Sequence, residues 1–523
     1  MSKARLLWHE YKYFPYEREL ARLEVQTILG ARAEEDKDGL IVALAAGQAK
    51  YLAGLTYFKG IELDGRVIIP DQAWLEASVN PNGSALLPSI EQMPSLRRQS
   101  TRYSAHGLHE YRGKFNPQVV RAIGNLLGLE AGHWILDPFC GSGTTLLEAA
   151  HIGWNSVGLD VNPLGVLIAN AKVAAIKTNP RVLAAEAEAL ISRLEKQSSS
   201  VDVNWREQLP NSEYLENWFT EPVLTQLAII LGNIDKVATP KLQAIFRVVL
   251  SDVCREVSLQ DPGDLRIRRR KNPEATYAVI AIFVDSLRSK ISLIQRARRH
   301  LSLKKAKQKA FIADARFSPS GHRFISDSGT KLFDAAITSP PYATALPYID
   351  TQRLSLCLLG LIDSREIRIT EKMLIGNREI SDLERCQLEN SLQANEAQLP
   401  DDVFTFSKRL LAMADHREHG FRKRNVPALV FKYFWQMAEM FESMRRVIRR
   451  DGKYALLVGF NKTTLNGSEV LIDTPQFLAS VAASKGWTIE ETHNFETYQR
   501  FDIHKKNSIR TEVLLILRNA RAK

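Results

Sequence analysis

The sequence has 523 residues, enough for two to four domains of ordinary size, and its apolar share of 45% is typical of globular proteins with a large buried core. The formal net charge of +11 is compatible with an acidic partner such as nucleic acid. No run approaches the roughly 18 apolar residues of a membrane span, the amino terminus lacks a signal peptide's apolar region, and the four cysteines stand singly, so we expect an intracellular protein without membrane, disulfide or zinc sites.

Residues 1–100 are predicted to form an accessory region. Residues 16–29 have the apolar spacing of a helix, and short apolar runs separated by turns follow as far as residue 87. Residues 91–100 are polar and indicate a linker. We find no catalytic motif in this region, so it carries no predicted site residue.

Residues 106–117, which read H-G-L-H-E-Y-R-G-K-F-N-P, lead into a helix predicted over residues 118–127. His106 and His109 are three positions apart and could bind a metal. No third ligand follows at a suitable spacing, so we predict no metal site.

Residues 133–150, H-W-I-L-D-P-F-C-G-S-G-T-T-L-L-E-A-A, predict a strand, a tight glycine turn and a helix. This geometry presents the bare backbone N–H groups of a helix amino terminus to a small polar ligand. A phosphate-binding loop would need a lysine directly after Gly143, and a dinucleotide fingerprint would need a glycine or alanine in place of Leu146. The turn therefore fits neither of these two ligand classes.

The next predicted strand, residues 154–160, ends in Asp160. An acidic residue about 20 positions after a glycine loop is where an α/β nucleoside site places a carboxylate on the ribose hydroxyls, although an aspartate at a strand end is also a common helix cap. Asp160 is the candidate for the ribose contact.

A helical insertion is predicted to follow, with helices over residues 181–196, 222–237, 240–259 and 277–303. Residues 266–309 contain fourteen lysines and arginines against two acids, a local charge of +12, whereas the rest of the chain sums to −1. Such a concentration is typical of a surface that contacts nucleic acid, although a solvated helix face can carry the same charge. The candidate DNA contacts are Arg266, Arg268, Arg269, Arg270 and Lys271.

Strands and helices alternate again after residue 310. Strands are predicted within residues 310–316, ending at Asp314, and over 332–337, where T-S-P-P-Y follows as residues 338–342. A helix is predicted over 430–449 and ended by Gly452, and further strands follow it. The alternation predicts an α/β fold with a doubly wound, mostly parallel, Rossmann-like sheet, a helical insertion and an amino-terminal accessory region.

The two motifs D-P-F-C-G-S-G-T-T and S-P-P-Y resemble those of the S-adenosylmethionine-dependent amino-methylating DNA methyltransferases. The resemblance implies S-adenosylmethionine as cofactor, and a stretch ending in Lys-Phe-x-Pro packs beside the cofactor's methionine end in many such enzymes. The implied cofactor contacts are Phe115, Asp137, Phe139, Gly141, Gly143, Thr144, Thr145, Asp160 and Asp314, with Asp314 on the adenine amino group. The implied catalytic residues are Ser339, Pro340, Pro341 and Tyr342.

The resemblance also divides the chain. We expect an accessory region over residues 1–100 and a helical, DNA-binding insertion over 177–309. A loop-rich insertion is expected over 362–424. The methyltransferase core is expected to take the remaining residues, 101–176, 310–361 and 425–523.

A serine at the front of S-P-P-Y is typical of enzymes that methylate N4 of cytosine. We therefore expect a site-specific enzyme that flips a cytosine out of duplex DNA and methylates its exocyclic amine by direct transfer. Many enzymes with S-P-P-Y place that motif before the cofactor loop, whereas here it follows, so N6-adenine methylation stays open. An RNA amine methyltransferase and a non-catalytic nucleic-acid-binding relative are also compatible with the sequence.

The expected partner is double-stranded DNA, and a cognate restriction endonuclease is a further partner that the resemblance allows. The expected location is the cytoplasm, with association to the nucleoid in a prokaryotic host.

Overall fold

The structure is a computed structural model. It describes residues 2–80, 99–111, 113–197, 203–261, 263, 268–270, 277–317, 332–343, 348–414, 421–496 and 511–520. Within these ranges, no helix is both long enough and apolar enough to span a membrane.

The amino-terminal residues form an antiparallel sheet with two helices. The strands are β1 (Ser2–Trp8), β2 (Glu34–Asp36), β3 (Gly39–Leu44), β4 (Phe58–Leu63) and β5 (Arg66–Ile68), in the order β2-β3-β1-β4-β5. The helices are α1 (Pro15–Leu29) and α2 (Asp71–Ala77). The helix predicted over residues 16–29 is confirmed, and Glu17 caps it by accepting the Phe14 N–H at 2.8 Å.

The central sheet has the predicted doubly wound, mostly parallel topology. The remaining strands are β6 (Trp134–Asp137), β7 (Asn155–Asp160), β8 (Gln308–Ile312), β9 (Phe333–Thr338), β10 (Ile448–Gly459), β11 (Asn461–Leu465), β12 (Ser468–Ile472), β13 (Trp487–Glu496) and β14 (Thr511–Asn519). The described strands of the sheet lie in the order β13-β14-β10-β9-β6-β7-β8, and β11 and β12 form a separate hairpin. Among the described strands of the central sheet, only β14 runs antiparallel to its neighbours. The order reverses between β6 and β9, and ligands of such sheets bind outside the carboxyl ends of the strands at this reversal.

The insertion between β7 and β8 is helical, as predicted. The core helices before it are α3 (Pro117–Leu126), α4 (Thr144–Ile152) and α5 (Pro163–Lys177). The insertion contains α6 (Pro180–Gln197), α7 (Trp205–Gln208), α8 (Ser212–Leu215), α9 (Glu221–Asp235), α10 (Pro240–Cys254) and α11 (Val279–His300). Its apolar side chains share one core with α5, so it is anchored to the sheet.

The expectation of a loop-rich insertion over residues 362–424 is wrong, because most of this segment is helical. The helices from here on are α12 (Tyr348–Leu358), α13 (Ile367–Met373), α14 (Asp382–Gln393), α15 (Asp401–Met413), α16 (Phe421–Arg424), α17 (Val426–Val447) and α18 (Thr474–Ser484). Ser381 and Glu384 form a capping box at the start of α14. Leu392 of α14 and Val403 and Leu410 of α15 are buried in the core that also contains α17, and this packing stabilises both helices.

The predicted end of the helix over residues 430–449 is also wrong. Helix α17 ends at Val447, and β10 begins at Ile448, which pairs with Phe333. Gly452 lies inside this strand region and not at a helix end. A Cβ atom at Gly452 would lie 2.9 Å from the Asp334 carbonyl oxygen, so the glycine permits a close approach of two backbones.

Both faces of the central sheet are covered. Leu457 and Leu514 share a core with the amino-terminal sheet and α3, whereas Leu456 and Leu515 pack in the core that contains α17 and α18. Neighbouring residues of a strand point to opposite faces, which explains this division. The accessory region is therefore a layer on one face of the sheet, and the carboxyl edge is left for a site.

Candidate active site

The predicted glycine turn joins β6 to α4. Gly141 has a φ of +45° and Gly143 a φ of +73°, a conformation that L side chains rarely adopt. A Cβ atom at Gly143 would lie 2.5 Å from the Cβ of Ala169, so the turn also needs glycine for close packing on α5. The Gly141 N–H donates to Asp160 Oδ2 at 2.8 Å, which ties the turn to the end of β7.

The glycine-loop cavity opens at this turn, and four predicted cofactor residues line it: Phe139, Gly141, Asp160 and Asp314. The cavity lies at the carboxyl edge of the sheet, since its residues follow β6, β7, β8 and β9. Among the described residues, no lysine or arginine lines it. Its wall carries two carboxylates, and its other described lining groups are neutral side chains and backbone.

The two carboxylates of this cavity have different surroundings. Asp160 accepts hydrogen bonds from the Gly141 and Asn162 N–H groups, each at 2.8 Å. Burial raises the pKa of Asp160 to about 6, although these hydrogen bonds lower it. Asp314 is paired with Arg316, whose Nη2 lies 2.5 Å from Asp314 Oδ2. Asp314 follows β8 by two residues, so the strand ends earlier than predicted.

The other predicted cofactor residues do not line the glycine-loop cavity. Gly143, Thr144 and Thr145 shape the turn behind it. Asp137 is also buried there, and its Oδ1 accepts the Thr338 hydroxyl at 2.7 Å and the Phe139 N–H at 3.1 Å. Burial raises the pKa of Asp137 to about 6. Asp137 therefore joins the glycine turn directly to the threonine of the T-S-P-P-Y segment.

A second space, the proline-motif cavity, lies on the other side of that segment. It has a volume of about 200 Å³, and Ser339, Pro340 and Tyr342 line it. Ser339 also lines the glycine-loop cavity, together with Pro341. The two cavities therefore meet at Ser339.

The S-P-P-Y segment is held from behind by neighbouring elements. The Tyr433 hydroxyl, from α17, donates to the Pro341 carbonyl at 2.9 Å. A Cβ atom at Gly459 would lie 3.0 Å from Tyr342 Cε1, so this glycine makes room for the Tyr342 ring. The ring is partly exposed and faces the proline-motif cavity.

Phe115 lines the proline-motif cavity and not the glycine-loop cavity, where the resemblance places it. Residues 113–116 pass between the two cavities, because Gly113 lines both. Phe115 therefore lies closer to the catalytic motif than to the glycine turn.

Sequence reasoning missed several lining residues. Tyr111 and the segment 373–375 line the glycine-loop cavity, and Tyr16, Phe495 and Glu512 line the proline-motif cavity. Tyr111 lies within residues 106–117, which carry part of the resemblance to the methyltransferases, so its sequence surroundings could have pointed to it. The others come from α1, the edge of α13 and the last two strands, and no motif marks them.

A buried hydrogen-bonded cluster fastens the segment before the glycine turn to α4. Glu148 accepts from His106 Nε2 at 2.8 Å, from the Tyr103 hydroxyl at 2.9 Å and from Arg121 at 3.0 Å, and His151 Nδ1 lies 3.0 Å away. Burial opposes ionisation of Glu148, but His151 and Arg121 hold its pKa well below the usual range. Tyr111, which follows this segment, lies beside the turn, since a Cβ atom at Gly141 would lie 3.4 Å from the Tyr111 ring.

The structure describes three of the five predicted DNA contacts. Arg266 and Lys271 lie outside the described residues. Arg270 is bound internally, since its Nε donates to the Gln260 carbonyl at 2.8 Å and its Nη1 to the Tyr277 hydroxyl at 2.6 Å. Arg268 and Arg269 are both exposed, and Arg269 also donates to the Asn217 carbonyl.

Part of the basic charge is also neutralised locally. Arg288 lies 3.5 Å from both Glu188 and Glu195, and Lys290 Nζ lies 2.7 Å from Asp252. The high charge of the segment therefore reflects internal ion pairing as well as exposed arginine.

Comparison with known proteins covers the part of the chain that contains the first half of this site. A family model described as UPF0020: RMKL-like, methyltransferase domain, matches residues 108–206. This range includes the glycine turn and Asp160.

Three similar proteins of known name extend the comparison. The chain is 46% identical over 68 residues to Type II methyltransferase M.MjaII of Methanocaldococcus jannaschii, covering 13% of each protein. It is 24% identical over 299 residues to Type II methyltransferase M.MvaI of Kocuria varians, covering 53% of this chain and 63% of the relative. It is 46% identical over 52 residues to a tRNA (guanine(10)-N2)-dimethyltransferase of Methanothermobacter thermautotrophicus, covering 10% and 16%. The matches span less than two thirds of each of these relatives.

Proposed function

We propose that this chain, which belongs to the S-adenosylmethionine-dependent amino-methylating DNA methyltransferases, methylates the exocyclic N4 amine of cytosine in duplex DNA. The observation that carries the proposal is the meeting of the two cavities at Ser339. A methyl donor in the glycine-loop cavity and a base in the proline-motif cavity would face each other across the end of β9. This is the arrangement that direct transfer between two bound molecules requires.

The glycine-loop cavity fits S-adenosylmethionine, the methyl donor of the family. The donor carries a positive sulfonium, and the cavity has two carboxylates and no lysine or arginine among its described lining residues. Arg316 pairs with Asp314, so Asp160 is the carboxylate that would attract the sulfonium and repel a phosphate-bearing cofactor. When bound, the donor supplies the methyl group.

We assign the donor's parts to residues by their positions. Asp160, at the end of β7, would accept from the ribose hydroxyls, and Asp314 would meet the adenine amino group. Phe139 and Gly141 would pack against the remainder of the donor. Gly143, Thr144, Thr145 and Asp137 then act as positioning residues, because they shape the turn without lining the cavity.

The proline-motif cavity would receive the flipped base. The prolines fix the backbone, so the carbonyl groups near Ser339 and Pro340 can accept the hydrogens of the amine. These bonds draw the nitrogen lone pair out of conjugation with the ring and direct it at the methyl group. Tyr342 offers an aromatic face for the base, and Phe115 contributes a second ring to the same cavity.

We propose duplex DNA as the substrate for two reasons. The family methylates DNA, and Arg268 of the basic segment is exposed. A cognate restriction endonuclease is a proposed partner, and the cytoplasm of a prokaryotic host is the proposed location. N6-adenine methylation and RNA methylation use the same two cavities, so both are outcomes of the test.

Methylation-aware sequencing of DNA from a host that expresses this chain tests the proposal. We expect N4-methylcytosine at one short sequence, and a much smaller methylated fraction at that sequence when the host expresses Tyr342→Ala as the matched control. N6-methyladenine at one site would change the base and keep the reaction. Unmodified DNA from a host with folded, cofactor-binding protein would refute the proposal.

A further inference from the structure

Glu512 lies in the proline-motif cavity, although no motif marks it and the proposed reaction does not use it. It is near the start of β14, where it faces Phe495 of β13 on one side and Gly459 of β10 on the other. Ser339, Pro340 and Tyr342 line the same cavity. Glu512 is therefore the carboxyl group beside the proposed position of the base.

The Tyr342 hydroxyl is hydrogen-bonded to the Glu512 carboxyl group. This bond engages one carboxyl oxygen, and the side chain is only partly buried, so the group still faces the cavity. The carboxyl is thus attached to the ring on which we expect the base to stack. A base on Tyr342 would present its edge to Glu512.

The bases differ in whether the ring nitrogen next to the exocyclic amine donates or accepts a hydrogen bond. In cytosine the ring nitrogen beside N4 is an acceptor, and in adenine the ring nitrogen beside N6 is also an acceptor. In guanine the ring nitrogen beside the N2 amine on the Watson–Crick edge, N1, carries a hydrogen and donates, whereas N3, the acceptor on the other side of that amine, lies on the sugar edge. A neutral carboxyl can donate to the first two, whereas an ionised carboxylate only accepts and suits guanine.

We propose that Glu512 recognises the target base by donating a hydrogen bond from its neutral carboxyl group to the ring nitrogen beside the amine. This inference rests on the proposed function, and it makes Glu512 the residue that selects cytosine or adenine over guanine. The selection matters for this chain because one of its relatives is named for a guanine-N2 activity.

The surroundings of Glu512 favour the neutral form. Burial raises its pKa, and this effect exceeds the opposing effect of the Tyr342 hydrogen bond. A base that enters the cavity excludes more water and raises the pKa further.

Among the described residues, the other titratable groups that line this cavity, besides Tyr342, are Tyr16 and Lys114. Lys114 Nζ donates to the Thr101 carbonyl at 2.6 Å, and burial lowers its pKa to about 7. Lys114 is thus bound to another partner, and neither group is among the charges that shift the pKa of Glu512.

The test compares duplexes that carry the target base or its deaza analogue at the site found by sequencing. In 3-deazacytosine, or 1-deazaadenine if the target is adenine, a C–H group replaces the acceptor nitrogen. Binding to duplex DNA is measured by fluorescence anisotropy with an unreactive analogue of the methyl donor. The deaza base also pairs more weakly and flips out at lower cost, so the quantity compared is the ratio of the two affinities, which we expect to favour the native base about tenfold more in the native chain than in Glu512→Leu.

Glu512→Leu should lose this tenfold difference, because it has no hydrogen to donate and the effect of the weaker base pair is common to both proteins. Glu512→Gln should keep the preference, because its amide still donates. Glu496→Gln, an exposed glutamate on the neighbouring strand, is the matched control and should keep the native ratio. An unchanged ratio in Glu512→Leu would overturn the inference alone, whereas no methylated site in any nucleic acid would overturn the proposed function and the inference with it.

A pH series tests the protonation state of Glu512. It also tests the inference if Glu512→Leu does not fold. Transfer by the native chain should fall as the pH rises through the pKa of Glu512, and Glu512→Gln should lack this fall. A fall that persists in Glu512→Gln would refute the assignment. A rise in native activity over the same range, absent in Glu512→Gln, would show a carboxylate that accepts instead and would overturn the proposed donor role.

Discussion

The two cavities that meet at Ser339 are built in different ways. The glycine-loop cavity is lined by residues that directly follow neighbouring strands of one sheet, such as Phe139 after β6 and Asp160 at the end of β7. The proline-motif cavity combines Tyr16 of the amino-terminal layer with Glu512 of the last strand. A short strand-and-turn motif therefore specifies much of the first cavity, whereas the second depends mainly on long-range packing.

Gly141→Val should have the largest effect, and it should act on the glycine-loop cavity alone. Gly141 has a φ of +45°, and its Cβ position lies 3.4 Å from the Tyr111 ring, so valine combines backbone strain with a steric conflict. We expect loss of S-adenosylmethionine binding by at least about 100-fold, measured by isothermal titration calorimetry, a loss of roughly 3 kcal/mol.

Gly128→Val is the matched control, because Gly128 has a φ of +67° with open space around its Cβ position. It should lose stability and keep cofactor affinity. Normal cofactor binding by Gly141→Val would place the donor elsewhere.

Tyr342→Ala should act on the proline-motif cavity alone. Loss of a stacking face costs about 1–3 kcal/mol per base, so we expect turnover to fall roughly 10- to 100-fold. Cofactor affinity should stay within about twofold, since Tyr342 does not line the glycine-loop cavity. Tyr342→Phe keeps the ring and should retain most turnover. A large loss of cofactor affinity in Tyr342→Ala would contradict the assignment of Tyr342 to the proline-motif cavity alone.

The same contrast explains what could be predicted from the sequence. Phe139, Gly141 and Asp160 can be predicted to share a site, because a strand end, a tight turn and the next strand end are local features. Tyr16 and Glu512 could not be predicted, because only the packing of the first layer and the last strand brings them to the same cavity as Ser339. Their sequence surroundings carry no motif.

The errors have physical causes of the same kind. Residues 362–424 are charged, which favours a loop-rich segment, but a few buried apolar side chains and a capping box stabilise their helices. Charge alone predicts Arg270 to be a DNA contact, whereas its guanidinium binds Gln260 and Tyr277. Charge counts do not distinguish internal partners from external ones.

Lowering the pH tests whether the glycine-loop cavity works through a charged Asp160. Burial raises the pKa of Asp160 to about 6. The carboxylate attracts the sulfonium and accepts from the ribose better than the neutral acid, so affinity present above pH 6 should be lost as the pH falls. We expect cofactor binding to weaken by up to about tenfold per pH unit below that value.

Asp160→Asn should bind more weakly and without this pH dependence. Asp137 remains in that variant, and burial raises its pKa to about 6 as well. A pH dependence that survives in Asp160→Asn would therefore assign the titration to Asp137.

Arg268→Ala should have the smallest effect and leave both cavities intact. An exposed arginine that contacts a phosphate contributes to affinity for any sequence, so its loss should reduce the salt dependence of DNA binding by about one unit of slope. Arg270→Ala is the internal comparison and should lower the melting temperature, because it removes the bonds to Gln260 and Tyr277. Unchanged DNA binding by Arg268→Ala would remove this arginine from the DNA surface.

A crystal structure of the chain with an unreactive donor analogue and a duplex carrying its recognition sequence tests the central claim most directly. We predict the donor analogue in the glycine-loop cavity and a flipped base against Tyr342, with its amine within hydrogen-bond distance of the carbonyl groups at Ser339 or Pro340. A base that remains stacked in the duplex, or a donor bound away from Asp160 and Gly141, would contradict the account.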